Sequence, residues 1–406
     1  MHILFMHASF PSANEDGSGR AYDFAKYLVD AGHRVSIVAN QYSYLTGRTV
    51  AARGQLVIEE RHPAGFTIYR AWAASGYHGS YLRRAMSFMT YMLTSAYAAM
   101  RVPGPDVLVA GSPPVTVALV AGLVARVRGI PLVVEVRDLW VQVAEELKIV
   151  RSRIVLGLVR AWERSVHRQA VRIVVNSPGF IPHLLADGLT KDKIVLIPNG
   201  VDTELFSPIT AEARDDVRRS LRLTDKFVVM YAGSLGFAND LPTVLDTAEK
   251  LRAERDVVLV LVGDGNRRAQ AQADATRRGL DNVVFKGPIA KQDVPKYLGA
   301  SDVAFCTLLN TPLFRTVYPN KVFDGMACAR PVIVLVDGVI RECVETADAG
   351  ICVQPGDAQG FADAVLKLRG NAALSFRMGQ NGRRYVEQNF DRRRTAALMG
   401  EVLAES

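Results

Sequence analysis

The segment from Tyr318 to Ala327 has the residue types and spacing best suited to binding an anion. Pro319 is placed to begin a helix, so Asn320 and Lys321 fall in its first turn. A lysine there opposes the helix dipole unless an anionic ligand binds beside it. Asp324 follows on the same helical face, where its carboxylate could accept hydrogen bonds from ribose hydroxyls while Lys321 holds a phosphate. An amphipathic helix with surface charges is the alternative.

Short glycine-rich loops follow several apolar runs, and such loops are able to bind a diphosphate. Glycines leave backbone N–H groups accessible, and a helix that begins after the loop favours negative charge. A tight turn would explain each loop alone, but two of the loops occupy matching places in the two halves of the chain. The diphosphate-binding residues predicted on this basis are Gly17, Ser18, Gly19, Gly233, Ser234, Leu235 and Gly236. Gly263 and Gly265 follow another apolar run, where a nucleotide could lie close to the backbone, although a tight turn explains them nearly as well.

Charged residues also cluster between Glu135 and Trp140, where the apolar run Leu132–Val136 ends. Strand ends in α/β folds face the ligand site, so Arg137 and Asp138 are candidates for orienting a substrate or assisting proton transfer. A purely structural ion pair is the competing interpretation.

The elements that must position these residues are strands alternating with helices. At 406 residues the chain is too long for one ordinary core, and two domains fit the usual size of roughly 100–200 residues. Apolar runs separated by helical periodicity predict parallel sheets with crossover helices. The predicted strands are Ile3–His7, Val35–Ala39, Phe66–Tyr69, Asp106–Ala110, Leu132–Val136, Ile173–Val175, Ile194–Ile197, Phe227–Ala232, Val257–Val262, Val283–Phe285, Val303–Cys306, Pro331–Leu335 and Ile351–Val353.

The strand pattern restarts after a turn signal at Pro198, Asn199 and Gly200. We therefore predict an α/β fold of two Rossmann-like, doubly wound parallel-sheet domains, residues 1–200 and 201–385. Residues 386–406 are predicted to form a C-terminal helix that returns toward the first domain. Ligands of open parallel sheets bind beyond the carboxyl ends of the strands, so the two domains are expected to face each other across a cleft.

Composition excludes several classes of protein. With 49% apolar and 22% charged residues the chain is globular, without long low-complexity segments. The spacing of Cys306, Cys328, Cys343 and Cys352 matches neither a zinc clamp nor a disulfide framework, and no metal is expected. The N-terminal residues lack the basic start and cleavage site of a signal peptide, so the expected location is cytoplasmic. Residues 85–100 are uncharged but shorter than the ~20 residues that span a bilayer.

Positive charge is confined to the first half of the chain. Residues 1–200 contain 22 Lys or Arg and 14 Asp or Glu, a difference of +8, whereas residues 201–406 contain 27 of each. This asymmetry suggests an anionic partner, although a solvated helix face would explain the arginines of residues 151–172 equally well. No nucleic-acid-binding motif accompanies it, so nucleic acid is not expected.

The uncharged run of residues 85–100 follows Arg83 and Arg84, which suggests a segment that lies in an anionic membrane interface. An ordinary core helix is the alternative.

The segments together resemble the family-4 retaining glycosyltransferases of the GT-B fold, especially the bacterial O-antigen and capsule branch that transfers amino sugars. The resemblance covers nearly the whole chain. It rests on His7–Pro11 with Gly17–Gly19, Val136–Trp140, Asn176–Pro178, Ile197–Asp202, Tyr231–Gly236, and Pro319–Lys321 continuing through Pro331–Ile333.

The resemblance implies an acceptor-side first domain and a second domain that binds a UDP-sugar without any cofactor. Lys321 would contact the diphosphate and Asp324 the ribose, while the backbone of Gly287, Pro288 and Ile289 would contact ribose and base. The expected reaction transfers an N-acetylated hexosamine or deoxyhexosamine to a glycan acceptor, lipid-linked or free.

Several residues depart from the family pattern. Thr316 stands where many members have the first glutamate of a Glu-x7-Glu pair. Ser234 and Asn239 stand where an arginine and a lysine are common, and Arg137 replaces a frequent histidine. The diphosphate charge must then be met by Lys321, helix N-termini, and Arg20 or Arg315.

Two further classes share some of these features. A non-hydrolysing UDP-sugar epimerase has the same two-domain architecture, and an inert membrane-associated scaffold would also have a basic half. A nicotinamide dehydrogenase is disfavoured because no G-x-G-x-x-G follows the first strand.

Overall fold

The protein is described by a computed structural model that covers residues 1–11, 19–41, 55–74, 81–146, 150 and 152–406, without the side chains of residues 81–85. It divides into two compact units, one of residues 1–198 and 393–406 and the other of residues 199–392. Each unit is an α/β layer structure around its own sheet.

The described residues of the first unit form an eight-stranded sheet in the order β3-β4-β2-β1-β5-β6-β7-β8. Its strands are β1 (His2–Met6), β2 (Arg34–Asn40), β3 (Val57–Arg61), β4 (Thr67–Ala71), β5 (Val107–Ser112), β6 (Leu132–Val136), β7 (Arg172–Val175) and β8 (Ile194–Leu196). The connecting helices are α1 (Arg20–Asp30), α2 (Tyr81–Arg101), α3 (Val115–Arg128), α4 (Trp140–Glu146), α5 (Arg153–Gln169) and α6 (Ile181–Ala186).

Parallel pairing holds throughout this sheet except at β3, which runs antiparallel to β4. The sequence prediction lacked this strand. An edge strand needs no continuous apolar run because solvent reaches it, and β3 accordingly carries Glu59 and Glu60.

The described residues of the second unit form a six-stranded parallel sheet in the order β11-β10-β9-β12-β13-β14. Its strands are β9 (Phe227–Ala232), β10 (Val257–Val262), β11 (Val283–Gly287), β12 (Val303–Thr307), β13 (Val332–Leu335) and β14 (Gly350–Cys352). Its helices are α7 (Ala211–Leu221), α8 (Leu241–Lys250), α9 (Arg268–Arg277), α10 (Val294–Ala300), α11 (Asn320–Ala327), α12 (Val339–Thr346), α13 (Ala358–Arg369) and α14 (Ala372–Asn389).

The C-terminal segment differs from the single helix predicted for residues 386–406. Helix α14 ends at Asn389, and the last helix, α15, spans Arg392–Ala404. The helix is interrupted at Phe390, whose carbonyl accepts a hydrogen bond from the N–H of Val201. Residues 393–406 belong to the first unit, where Ala396 and Met399 are buried in the core.

Helix α2 differs from an ordinary core helix, the alternative considered for residues 85–100. The described side chains that it buries are small, polar or aromatic, namely Ser87, Tyr91, Thr94, Ser95, Ala98 and Ala99. The large apolar side chains that it exposes are Met86, Met89, Leu93, Tyr97 and Met100. The helix therefore packs on the sheet while its most hydrophobic stripe faces away from the core.

Candidate functional site

Three glycine-containing loops meet at the carboxyl edge of the second unit's sheet, where they follow β9, β10 and β11. Backbone hydrogen bonds join them: the N–H of Leu235 donates to the Asp264 carbonyl oxygen at 2.9 Å, and the N–H of Gly263 donates to that of Gly287 at 2.9 Å. The structure thus brings together the loops of this half of the chain that the sequence analysis predicted to bind the nucleotide-sugar donor.

Two of these glycines are required by close backbone approach. A Cβ at Gly263 would lie 1.9 Å from the Gly233 carbonyl oxygen, and the Gly263 φ of +138° is one that other residues rarely adopt. A Cβ at Gly265 would lie 2.4 Å from the Leu235 carbonyl oxygen. The loops are therefore packed too tightly to accept side chains at either position.

Lys321, in the first turn of α11, reaches the loop that follows β9. Its ammonium lies 3.5 Å from the point where a Cβ of Gly233 would stand. It donates hydrogen bonds to the Tyr231 hydroxyl at 2.7 Å and to Asn239 Oδ1 at 3.3 Å. Both acceptors are neutral, so they position the cation without cancelling its charge.

Tyr231 and Asn239 also fix the loop itself. The buried Tyr231 hydroxyl lies 2.6 Å from the Ser234 carbonyl oxygen and 2.7 Å from Asn239 Oδ1, and it donates its one proton to one of them. Asn239 Nδ2 donates to the same Ser234 carbonyl at 2.8 Å. The amide that replaces the family's lysine is therefore part of the support for Lys321.

The sequence analysis did not single out Tyr231, because in a buried strand it resembles any core aromatic residue. The available signal was chemical: a buried tyrosine hydroxyl at a strand end needs a polar partner. Burial raises the pKa of Tyr231. Burial alone would lower the pKa of Lys321, but Cys306 and the hydrogen-bonded Tyr231 offset it, so this pKa is raised and the ammonium is charged at neutral pH.

Asp324 lies one turn after Lys321 on α11 and is partly buried. Desolvation raises the pKa of its carboxyl to about 6, against the opposing effects of Arg392, Lys291 and Lys321. Asp324 thus changes its charge within an ordinary experimental pH range.

The other predicted residues near α11 have local partners. The Asn320 side chain accepts a hydrogen bond from Asn199 Nδ2 at 2.8 Å. Thr316, in the place of the family's first glutamate, donates to the Leu313 carbonyl at 2.7 Å. Arg315 is exposed, with Nε 3.9 Å from an Asp337 carboxylate oxygen.

In the first unit, Arg137 and Asp138 directly follow β6. The Arg137 N–H donates to the Ser112 carbonyl at 2.9 Å, and the Arg137 carbonyl accepts from Asn176 at 3.1 Å, so its backbone is fixed. Arg137 Nε is buried and has no hydrogen-bond partner among the described residues. Asp138 is exposed by area, yet nearby protein partly desolvates its carboxyl and raises its pKa.

The structural ion pair at this strand end involves Glu135 rather than Arg137 and Asp138. The fully buried Glu135 carboxylate is paired with Arg20, whose guanidinium also donates to the Pro198 carbonyl. Burial would raise the Glu135 pKa, but Arg20, His7 and Arg137 hold it below its usual value. Arg20, one of the residues considered for the diphosphate, is thus committed to this pair.

His7 is a further residue of this cluster that the sequence analysis did not place. Its Nε2 lies 3.6 Å from Glu135 Oε2, and its ring packs where a Cβ of Gly111 would otherwise stand. Burial, assisted by Arg137, lowers the His7 pKa to about 4, so the imidazole is neutral at pH 7.

The remaining predicted site residues are only partly described. Gly19 precedes α1 with a φ of +128°, whereas Gly17 and Ser18 lie outside the described residues. The side chains of Arg83 and Arg84 also lie outside them.

The described residues offer neither a metal cluster nor a membrane-spanning helix. They contain no group of three or more His, Cys, Asp or Glu side chains arranged to hold a metal ion. Within the same residues, no helix has the length and apolar character needed to cross a membrane.

Comparison with known families gives two matches that follow one another along the chain. Residues 17–200 match the model described as a glycosyl transferase 4-like domain, and residues 226–371 match the model described as glycosyl transferases group 1. Together the matches cover most of both units.

Two similar proteins come from Escherichia coli. The chain is 28% identical to the O-antigen chain mannosyltransferase C over 60% of this chain and 62% of that protein, just under two thirds of its length. It is 22% identical to the putative colanic acid biosynthesis glycosyl transferase WcaI over 91% of each chain.

Among solved structures, HepE from Anabaena, determined in complex with UDP, has a TM-score of 0.75 and 18% identity, with all of both chains covered. A likeness at this identity shows the fold, which is that of GT-B proteins.

The loop contacts give a test of the site's construction. We expect Gly263→Ala to destabilise the second unit by at least about 2 kcal/mol, because the new Cβ meets the Gly233 carbonyl and the backbone conformation is strained. Thermal or urea unfolding measures the change. The control is Gly157→Ala in helix α5, where a Cβ has open space and should leave stability unchanged or slightly raised. Equal stability of the two variants would contradict the packing described.

Proposed function

Because the chain belongs to the family-4 glycosyltransferases of the GT-B fold, in the branch that builds bacterial polysaccharides, we propose that it transfers a sugar from a UDP-sugar to a glycan acceptor with retention of anomeric configuration. The proposed sugar is an N-acetylated hexosamine or deoxyhexosamine, the class implied by the motif resemblance described in the sequence analysis. The proposed acceptor is linked to a lipid.

The observation that carries this proposal is the Lys321 ammonium beside the glycine loops of the second unit. In a sugar transfer of this type, negative charge develops on the departing diphosphate while the sugar becomes oxocarbenium-like. A fixed cation held by neutral groups stabilises that charge without first giving up an anionic partner. Backbone N–H groups of the loops add to the same effect.

Asp324 supports the nucleotide part of the proposal. Its carboxylate is positioned on the same helix as Lys321 and can accept hydrogen bonds from ribose hydroxyls when ionised. The backbone at Gly287, Pro288 and Ile289 lies at the carboxyl end of strand β11 and is proposed to contact the base. A uridine base is favoured because HepE, which shares the fold, was solved with UDP.

In the first unit, Arg137 and Asp138 are proposed to orient the reacting groups. Arg137 has an uncommitted Nε and a fixed backbone, which suits a contact to an anionic or hydroxyl group of a substrate. We propose that Lys321 and backbone N–H groups meet the diphosphate charge, so that transfer needs no metal or other cofactor.

The first prediction concerns Lys321. We expect Lys321→Ala and the similarly long Lys321→Met to lower turnover about 100-fold, the scale of losing one preorganised contact to developing charge. UDP release measures the rate, and NMR of the product sugar should show the anomeric configuration of the donor.

Lys296→Ala is the matched control, since Lys296 is an exposed lysine of the same unit, and it should leave turnover unchanged. Chelation of metals should also leave turnover unchanged. Wild-type turnover in the Lys321 variants would refute the assignment, and epimerised donor without transfer would support an epimerase instead.

The second prediction concerns the base. UDP should raise the melting temperature more than GDP at equal concentration, because a ligand that binds the native state stabilises it by mass action. Differential scanning fluorimetry measures both shifts. A larger shift with GDP would overturn the choice of uridine.

The third prediction concerns pH. Asp324 is ionised above about pH 6 and protonated below it, so affinity for a UDP-sugar should be full above pH 6 and weaken as the pH falls through that value. A UDP-sugar is the appropriate probe because its doubly esterified diphosphate does not titrate in this range. Calorimetry should show that Asp324→Asn binds weakly at every pH without this dependence; the same pH profile in that variant would exclude Asp324 as its source.

A further inference from the structure

Helices α2, α3 and α5 form one continuous layer of the first unit. Each connects parallel strands in the same direction along the sheet, so right-handed crossovers place all three on the same face. Side-chain hydrogen bonds join neighbours in this layer: Arg128 donates to the Ala99 carbonyl and Gln169 to the Gly122 carbonyl, both at 2.7 Å. We call the outer side of this layer the three-helix face.

The three-helix face exposes an unusual amount of apolar side chain. Of the twenty large apolar side chains exposed among the described residues, eleven lie on these helices. They are Met86, Met89, Leu93, Tyr97 and Met100 on α2, Leu123 and Val127 on α3, and Ile154, Val155, Leu158 and Trp162 on α5. Contiguous exposed apolar surface of this kind marks an interaction site in a folded protein.

The spacing of these residues shows that they form stripes along the helices and are not scattered singly over the surface. On α2 they recur every three or four residues, opposite the buried Tyr91 and Ala98. On α5, Ile154, Leu158 and Trp162 recur every four residues. Both helices therefore carry a stripe of exposed apolar side chains, which packing against the sheet alone does not require.

The charge of the three helices is almost entirely of one sign. Their sequences contain nine arginines, namely Arg83, Arg84, Arg101, Arg126, Arg128, Arg153, Arg160, Arg164 and Arg168. The one acidic residue, Glu163, is buried, and burial raises its pKa to about 7. Arg101, Arg126, Arg153 and Arg168 are exposed.

We propose that the three-helix face docks this protein on an anionic lipid bilayer. Apolar side chains that insert shallowly among acyl chains, combined with arginines that attract anionic headgroups, are the two signals needed for stable, reversible attachment. Tyr97 and Trp162 have the amphipathic aromatic side chains favoured at that depth.

Charge selects a bilayer over a second copy of the chain. In a symmetric dimer through this face, the arginines of one copy would meet those of the other, and like charges repel. Exposed apolar side chains also lie between the arginines. Such side chains do not contact a phosphate backbone, so the face does not suit nucleic acid. An anionic bilayer can contact both the exposed apolar side chains and the arginines of this face.

This inference deepens the lipid-linked acceptor of the proposed function and rests on that part of it. An acceptor held by a membrane-embedded lipid is confined to the bilayer surface, and a docked enzyme shares that surface. The first unit, which carries the three-helix face, is the one assigned to the acceptor.

The test is co-sedimentation of the full chain with vesicles of phosphatidylglycerol and phosphatidylcholine, compared with phosphatidylcholine alone. We expect binding to the anionic vesicles that weakens with salt. Arg126→Ser with Arg153→Ser should lower the partition coefficient about 30-fold, which corresponds to about 1 kcal/mol per arginine. Leu93→Ser with Leu158→Ser should lower it about tenfold at all salt concentrations.

Matched controls come from the second unit. Arg255→Ser with Arg384→Ser removes the same charge, and Phe376→Ser removes an apolar side chain that is 70% exposed, so both should bind as wild type. Melting temperature and UDP binding establish that each variant is folded.

Absence of binding to any vesicle would overturn the proposal. So would a dimer by sedimentation velocity that Leu93→Ser with Leu158→Ser dissociates. The proposed function is tested separately by transfer to a soluble glycan: transfer without vesicle binding refutes only the docking, and vesicle binding without transfer refutes only the enzymatic function.

Discussion

The ammonium of Lys321 is held beneath the glycine loop of the second unit by the Tyr231 hydroxyl and the Asn239 amide oxygen, and the rest of the candidate site depends on this arrangement. A partly buried cation without an anionic partner is costly unless its protons have acceptors, and the two neutral oxygens accept hydrogen bonds from two of the three ammonium protons. The same two side chains hold the Ser234 carbonyl and hence the loop. The charge and the backbone groups that would surround a diphosphate are thereby fixed together.

This arrangement shows how the candidate site differs from the residue pattern that is common in the family. A lysine in place of Asn239 would add charge to the loop but could not accept the proton of Tyr231 or a hydrogen bond from Lys321. The glutamate that is common in the family is replaced by Thr316, whose hydroxyl donates a hydrogen bond to the Leu313 carbonyl. The site therefore concentrates its positive charge on one well-supported lysine instead of distributing it.

Two features of the first unit place polar groups in its interior: one lies at the carboxyl edge of the sheet and the other on one of its faces. At the carboxyl edge, Glu135 with Arg20 forms a buried ion pair that leaves Arg137 and Asp138 to extend beyond β6. On one face, α2 packs through small and polar side chains, which allows its large apolar residues to remain outside. Burying polar groups such as Thr94 is tolerated because helical carbonyls accept their hydrogen bonds.

The sequence by itself determined the fold class, most strand positions and the region of the nucleotide site, because these depend on local periodicity and on glycine and proline signals. Lys321, Asp324 and the loops after β9 and β10 could be identified in this way. Edge strand β3 could not, since its charged residues carry no periodic apolar signal.

Only the tertiary structure decided which partners the charged side chains take. Tyr231 and Asn239 meet Lys321 across 90 and 82 residues, and Arg20 meets Glu135 across 115, distances over which sequence spacing carries no information about contact. The sequence likewise could not predict that the apolar stripe of α2 is exposed. Periodicity shows that a helix has two faces, but only packing against the sheet determines which face is buried.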